Sequence, residues 1–425
     1  MAAQTTAAVA DFADPPLSAP QQTRVVAVVS IAHALSHFMH LIIPPVFPLL
    51  MSEFSLSYSE LGLLMTVFFV VSGIVQAASG FAVDRHGPLP VLLISIGLFA
   101  LSTLVIASAS SYWMLMLGCA IAGAGNAPFH PVDYCILNAR IESKRLPRSY
   151  AVHGVAGSLG WAVAPLVVVG VSSVAGWRVG MLTAGAICLA IMGLVWWARE
   201  ELRVSPIRRI RSHAGDGNAP ADVSQSTLGF MKLPSLWISF VYFFGTAFAI
   251  GGVQTFGPES AAQLHDLPAA QVALLVSVYM VGSAFGALVG GYTMGDVRNA
   301  ERIVSVSLIV ALSIALSIGY LTTPIWMSSA LFGMMGFAAG VGTPARDLLI
   351  KRAAPPGATG RIYGIIYSGL DVGVAVAPAL FGFMMDARWP TGIWIGVALA
   401  YVLMIVCANM LSRHTIARAP AAPSA

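Results

Sequence analysis

Charge is scarce in this chain. Only 9% of its 425 residues are Asp, Glu, Lys or Arg, where a soluble domain carries about 25%. That deficit rules out an ordinary water-facing surface. Cysteine is scarce too. Cys119, Cys135, Cys188 and Cys407 each sit inside an apolar run, and no CxxC spacing occurs. This excludes a disulfide framework or a thiolate metal centre and leaves four small packing residues. The first 22 residues lack the basic stretch and apolar run of a signal peptide, and read as a short disordered cytoplasmic tail. No nucleophile–base pair stands out. The longest polar stretch, 199–232, is too short for a soluble catalytic domain. No enzyme, no cofactor and no nucleic-acid partner is therefore expected.

What the chain has in abundance is apolar sequence. Hydrophobic residues make up 57%, with mean hydropathy +0.82. About 20 apolar residues cross the hydrocarbon core of a bilayer. Twelve such runs are present, at about 24–50, 59–83, 89–109, 112–138, 149–173, 177–198, 233–257, 269–294, 301–322, 324–350, 361–386 and 390–411. The fold class expected is an all-α membrane protein. Its domains are a tail (1–23), a six-helix bundle (24–198), a linker (199–232), a second six-helix bundle (233–412) and a tail (413–425). Of 22 basic residues, all but Arg178 and Arg388 fall on or near one side of this arrangement. Lysine and arginine collect on the cytoplasmic face. Both termini are therefore expected inside a bacterial cytoplasmic membrane, around a monomer.

The two bundles echo each other at an offset of about 213 residues. Gly160-Trp-Ala-Val-Ala-Pro165 recurs as Gly373-Val-Ala-Val-Ala-Pro378, Tyr150 matches Tyr363, and Arg148 matches Arg361. Asp84 matches Asp296. A common offset implies a duplicated six-helix unit, the arrangement in which a transport site lies between two repeats.

The turn after the second span, Gly80-Phe-Ala-Val-Asp84-Arg85-His86-Gly87, resembles the G-x-x-x-D-R-x-G motif of the major facilitator superfamily. The resemblance implies a gate in which Asp84 pairs with cations or helix dipoles in one conformation and releases them in the other. Several stretches resemble the fosmidomycin-resistance group of that superfamily: Ser30-Ile-Ala-His33 through Phe47 to Leu56, Gly123-Ala-Gly125-Asn126-Ala-Pro-Phe129-His130-Pro131, and in span 5 Gly157-Ser-Leu-Gly160 and Pro165. That likeness implies proton-driven export. The chain departs from the pattern at His37, Val132 and Cys119, positions where an acid, an acid and an arginine would be expected. The resemblance also implies that spans 1, 4, 7 and 10 line a central cavity.

Ionisable residues inside spans cost about 2.5–3.5 kcal/mol each on insertion scales and so call for a reason. His33, His37 and His40 occur at i, i+4 and i+7, one stripe of a helix. Asn126, His130 and Asp133 repeat that spacing in span 4. Both stripes are expected to face a shared aqueous space, with Asp133 exchanging its proton with His130. Histidine titrates near pH 6.5 and carries a proton at modest cost. Asp371, preceded by Tyr363 and Tyr367, is a second candidate proton site. Arg346 beside Asp347 offers either an anchor for an anionic substrate or a local ion pair. His33 with His37 has the spacing of a helical metal pair, but no Cys or Glu joins them, and a proton or substrate role is the reading taken. His153 reads as structural or interfacial.

The function expected is a secondary transporter of a small solute working by alternating access, with proton-coupled efflux leading. Uptake or exchange of small organic anions is one alternative. A sensor or assembly partner that moves nothing is the other.

Overall fold

A computed structural model describes residues 17–204, 231, 233–293, 300–353 and 360–416. Among them every regular element is helical. In chain order these are α1 (Ala19–His40), a 3-10 turn (Pro44–Val46), α2 (Phe47–Phe54), α3 (Tyr58–His86), α4 (Pro88–Ala107), α5 (Tyr112–Asn126), α6 (Phe129–Arg140), α7 (Leu146–Ala175), α8 (Trp177–Trp197) and the short α9 (Arg199–Leu202). They continue as α10 (Pro234–Thr255), α11 (Gly257–His265), α12 (Ala269–Thr293), α13 (Ala300–Tyr320), α14 (Ile325–Val341), α15 (Thr343–Ala353), α16 (Gly360–Asp386) and α17 (Thr391–Ile416). Asp296 and most of the linker, residues 205–230, lie outside the described residues, as do the ends of both tails.

Among the described residues, eleven helical segments are long and apolar enough to cross a membrane. The twelfth expected span is present but broken into α5 and α6, too short to count individually. Ala127 and Pro128 separate the pieces, and Pro131 follows within the first turn of α6. Proline has no backbone N–H and its ring clashes with the turn before it, so the break falls where the sequence puts Pro128. The remaining boundaries follow local chemistry. Ser57 caps α3 in a reciprocal capping box with Glu60. Pro88 starts α4, and Gly87 at φ +79° supplies the turn before it.

The duplicated unit is visible in the packing. Helix α1 lies along α7, and α10 lies along α16. Gly160 of α7 meets the Ala34 carbonyl of α1, and Gly373 of α16 meets the Phe244 carbonyl of α10. A side chain at either glycine would fall on a neighbouring backbone, so both positions permit helix approach rather than flexibility. The predicted repeat Gly160/Gly373 therefore marks one packing device used twice.

Across the halves α3 packs on α16 and α7 on α12. Here too the repeat shows. Ser277 of α12 donates to the Ala162 carbonyl at 2.7 Å, and Thr66 of α3 donates to the Ala375 carbonyl at 2.8 Å. Each acceptor lies three residues before a proline inside its helix, Pro165 or Pro378. Proline loosens the carbonyls of the preceding turn, and a hydroxyl from the other half takes them up.

These contacts gather toward the end that carries the α2–α3 turn. There Asp386 accepts from the Tyr58 and Ser59 backbone N–H groups, both at 2.8 Å. A carboxylate at the start of α3 satisfies orphan donors and complements the helix dipole. Tyr58 donates to Glu259 at 3.1 Å and accepts from Gln263 at 2.9 Å. Phe256 packs against Phe47 and Tyr58. This end of the molecule is sealed by both halves together.

Candidate functional site

Beneath the seal, the two polar stripes meet inside the first half. They touch directly rather than across water, which corrects the expectation from the sequence. His33 Nδ1 lies 3.0 Å from Asp133 Oδ2, both buried. His40 Nε2 lies 2.9 Å from Asn126 Oδ1, and Trp161 Nε1 lies 3.2 Å from His40 Nδ1. An indole N–H can only donate, so His40 accepts at Nδ1 and carries its proton on Nε2. Asn126 then passes the chain on by donating to Ser72 at 2.9 Å. Trp161, His40, Asn126 and Ser72 thus form one directional chain tying α7, α1, α5 and α3 together.

The partner of Asp133 is a second correction. Asp133 bonds His33, and its other near imidazole is His153, with Nε2 at 3.7 Å. His153 stacks on His33 at 3.7 Å between ring centroids. His130 stands off at 5.2 Å from the His33 ring. It is exposed, whereas His33, His153 and Asp133 are buried. Its neighbour Tyr134 lies within electrostatic reach of Tyr367 and Asp347 in the other half. The exposed side of His130 therefore faces the space between the halves.

His37 stacks on Trp161 at 4.0 Å and lies tilted against His33 at 4.5 Å. The room for these rings comes from Gly157. A methyl group there would sit 2.7 Å from His37 ring atoms and 3.0 Å from His33 Nε2. We expect Gly157→Ala to displace His37 and His33 at a cost of about 1–3 kcal/mol, the range for overpacking. A fall of several degrees in Tm would show it, and an unchanged Tm would mean that the rings have slack.

Sequence reasoning missed His153, Gly157 and Trp161 as members of the site. They are spaced four apart on α7, so the signal existed: one helical face carrying an imidazole, a gap and an indole.

In the second half, Arg346 of α15 pairs with Asp347 at 2.8 Å and lies 5.2 Å above the Phe243 ring of α10. The local pair, one of the two options open from sequence, is the arrangement present. Tyr367 of α16 packs on the same Phe243 ring at 4.7 Å and remains half exposed. Arg346, Phe243 and Tyr367 thus form one cationic, aromatic corner opposite Tyr134. Asp371 belongs to neither group. Its Cβ would stand 3.5 Å from a methyl at Gly73, on the α3–α16 contact. Among the described residues it shares no hydrogen bond or ring contact with the histidines.

The family model of the Major Facilitator Superfamily matches residues 29–268 and 253–424. The chain belongs to the major facilitator superfamily. Among curated relatives, it is 24% identical over 366 residues to the "Fosmidomycin resistance protein" of Escherichia coli (strain K12), covering 85% of this chain and 86% of that protein. It is 23% identical over 357 residues to the "Probable L-galactonate transporter" of the same organism, covering 79% and 76%. Among solved structures, a bacterial homolog of the human lysosomal transporter Spinster, in an inward-facing and occupied conformation, superposes with TM-score 0.74. That match has 15% identity and covers 96% of this chain and 100% of the other.

Within this major facilitator frame the motif turn sits at the end of α3 opposite the α2–α3 turn. Asp84, Arg85 and His86 close α3 and are exposed, and Gly87 follows with its N–H bonded to Val83. A methyl at Gly80 would meet nothing within 4 Å. Among the described residues neither Asp84 nor Arg85 forms an ion pair. Cys135 of α6 lies within electrostatic reach of Asp84, which places the turn beside the broken span.

Proposed function

We propose that this major facilitator protein is a proton-coupled secondary transporter of a small solute, with export as its direction. One observation carries the coupling: a buried carboxylate, Asp133, hydrogen-bonded to His33, with an exposed imidazole, His130, one turn before it on the same helix. A proton-loading group needs burial to make its charge state matter and a titratable neighbour to reach water. The seal formed by Asp386, Tyr58 and Thr66 supports alternating access. Every one of those bonds joins the two halves and breaks if they rock apart. The unpaired Asp84 fits the same state, with a gate at the opposite end released. The basic-residue bias supports a sealed end outside, both termini in the cytoplasm and a bacterial inner membrane, the orientation of an inward-facing state. Export is carried over from the fosmidomycin-resistance relative.

A second reading, symport of a small organic anion, is favoured by the Arg346–Phe243–Tyr367 corner. A guanidinium freed from Asp347 binds a carboxylate through two parallel hydrogen bonds. The likeness to a probable L-galactonate transporter points the same way. Proteoliposomes under an imposed pH gradient separate the readings. Drug moving against inward protons supports export, carboxylate moving with protons supports symport, and no flux for any solute supports a sensor that does not transport. In the same vesicles Asp371→Asn is expected to lose gradient-driven flux while solute binding persists. Full flux in that variant removes Asp371 from the coupling machinery.

A further inference from the structure

Five imidazoles on α1, α6 and α7 are more than a single proton site requires, and their unmet bonding capacity points to a different ligand. Both nitrogens of His153 and Oδ1 of Asp133 are buried without a hydrogen-bond partner. Buried polar atoms are nearly always paired, and such a group calls for a missing partner. A proton cannot satisfy them all, because neutral imidazole already offers one donor and one acceptor and needs opposite numbers for both. A cation satisfies several lone pairs at once.

We propose that His33, His130 and His153 bind a divalent first-row transition ion, with Asp133 orienting the His33 ring through its hydrogen bond. One ligand atom from each histidine lies within 4.8 Å of those of the other two. Ligand atoms of a tetrahedral site with metal–nitrogen bonds of about 2.0–2.1 Å stand about 3.3 Å apart. Closing that difference calls for rotation of the His130 and His153 side chains. Asp133 Oδ2 lies 3.0 Å from His33 Nδ1 and 3.7 Å from His153 Nε2, the kind of carboxylate contact that fixes the orientation of a ligating imidazole. Three imidazoles with no thiolate suit zinc, cobalt, nickel or copper(II) and disfavour magnesium or calcium. His130 supplies the access route, being exposed toward the space between the halves. The set differs from the His33–His37 pair suggested by helical spacing. His37 is held against Trp161 and Gly157 and stays outside it. All three ligands lie in the first half, so rocking of the halves leaves the site intact. The proposal does not depend on proton coupling, since binding is read with no gradient present.

The test uses the full-length protein, free of any polyhistidine tag, stripped with chelator and titrated with Co²⁺ in nanodiscs. One equivalent with the visible absorption of a four-coordinate site is expected, displaced by Zn²⁺. His130→Gln and His153→Gln are each expected to weaken Co²⁺ binding at least about tenfold, the lower range for disturbed metal shells. His265→Gln, on α11 and bonded to the Ile318 carbonyl, is expected to change nothing. X-ray absorption of the Zn²⁺-loaded wild type does not rely on a folded variant and is expected to show imidazole scattering. Absence of the Co²⁺ band, its survival in the His130→Gln/His153→Gln double variant, or a zinc shell of oxygen alone would each overturn the proposal. Metal-free flux under a pH gradient decides the coupling reading separately.

Discussion

Asp133→Asn is expected to abolish solute movement driven by a pH gradient while leaving solute exchange at zero gradient measurable. The amide is nearly isosteric with the carboxylate. It keeps an acceptor for the His33 Nδ1–H that now points at Oδ2 at 3.0 Å, so α1 and α6 stay joined. What it loses is the ability to gain and release a proton. Exchange needs only the rocking motion and the solute site, whereas net uphill movement needs the coupled ion as well. Asp133→Ala is a different perturbation. It strands the buried His33 nitrogen, which costs about 1–3 kcal/mol, and its Tm is expected to fall below that of the Asn variant. The measurement is paired counterflow and pH-jump flux in the same vesicles. If gradient-driven flux survives in Asp133→Asn, the buried carboxylate is not the coupling site, and the cluster is reduced to a packing element.

The second large effect is expected at Gly62. Its missing side chain admits the Pro378 carbonyl of α16, and an added Cβ would overlap that oxygen. Gly62→Val is therefore expected to wedge the sealed end open. Overpacking costs about 1–3 kcal/mol, and only the sealed conformation bears it. A penalty on one state alone shifts the equilibrium by its whole amount, about 5- to 150-fold here. The reporter is Thr66→Cys in a background lacking the four native cysteines. Thr66 lies one turn along α3 and donates to Ala375 across the seal. Membrane-impermeant maleimide added to the face bearing the α2–α3 turn is expected to label it about tenfold faster in the Gly62→Val background, with transport correspondingly reduced. Equal labelling with and without the valine would mean that the seal tolerates the extra volume.

Much of the architecture follows from local chemistry. Span positions, the break at Pro128, the cap at Ser57 and the turn at Gly87 depend on residues near one another in the chain. The stripes His33–His37–His40 and Asn126–His130–Asp133 are likewise local, because helical periodicity alone aligns residues three and four apart. The broken span keeps that alignment only in part: His130 and Asp133 share α6, while Asn126 ends α5. The site was less legible. His153 looked structural because nothing along the chain says that α7 approaches α1 closely enough for ring stacking. That approach is set by Gly157 and Gly160 against α1, a property of two surfaces rather than one. Asp371 shows the converse. Depth in a span was readable, but the helix it faces was not, and it faces Gly73 of α3.

Taken alone, then, the sequence determined an apolar, duplicated chain of membrane-crossing helices and the polar residues each helix would carry on a common stripe, because hydropathy and helical phase are one-dimensional quantities. The tertiary structure alone decided that Asp133 pairs with His33 and not His130, that His153 completes the cluster, and which end of the molecule the two halves close. Those outcomes depend on how far one helix surface sinks into another, and that distance is settled by small residues and freed carbonyls on partners more than a hundred positions apart.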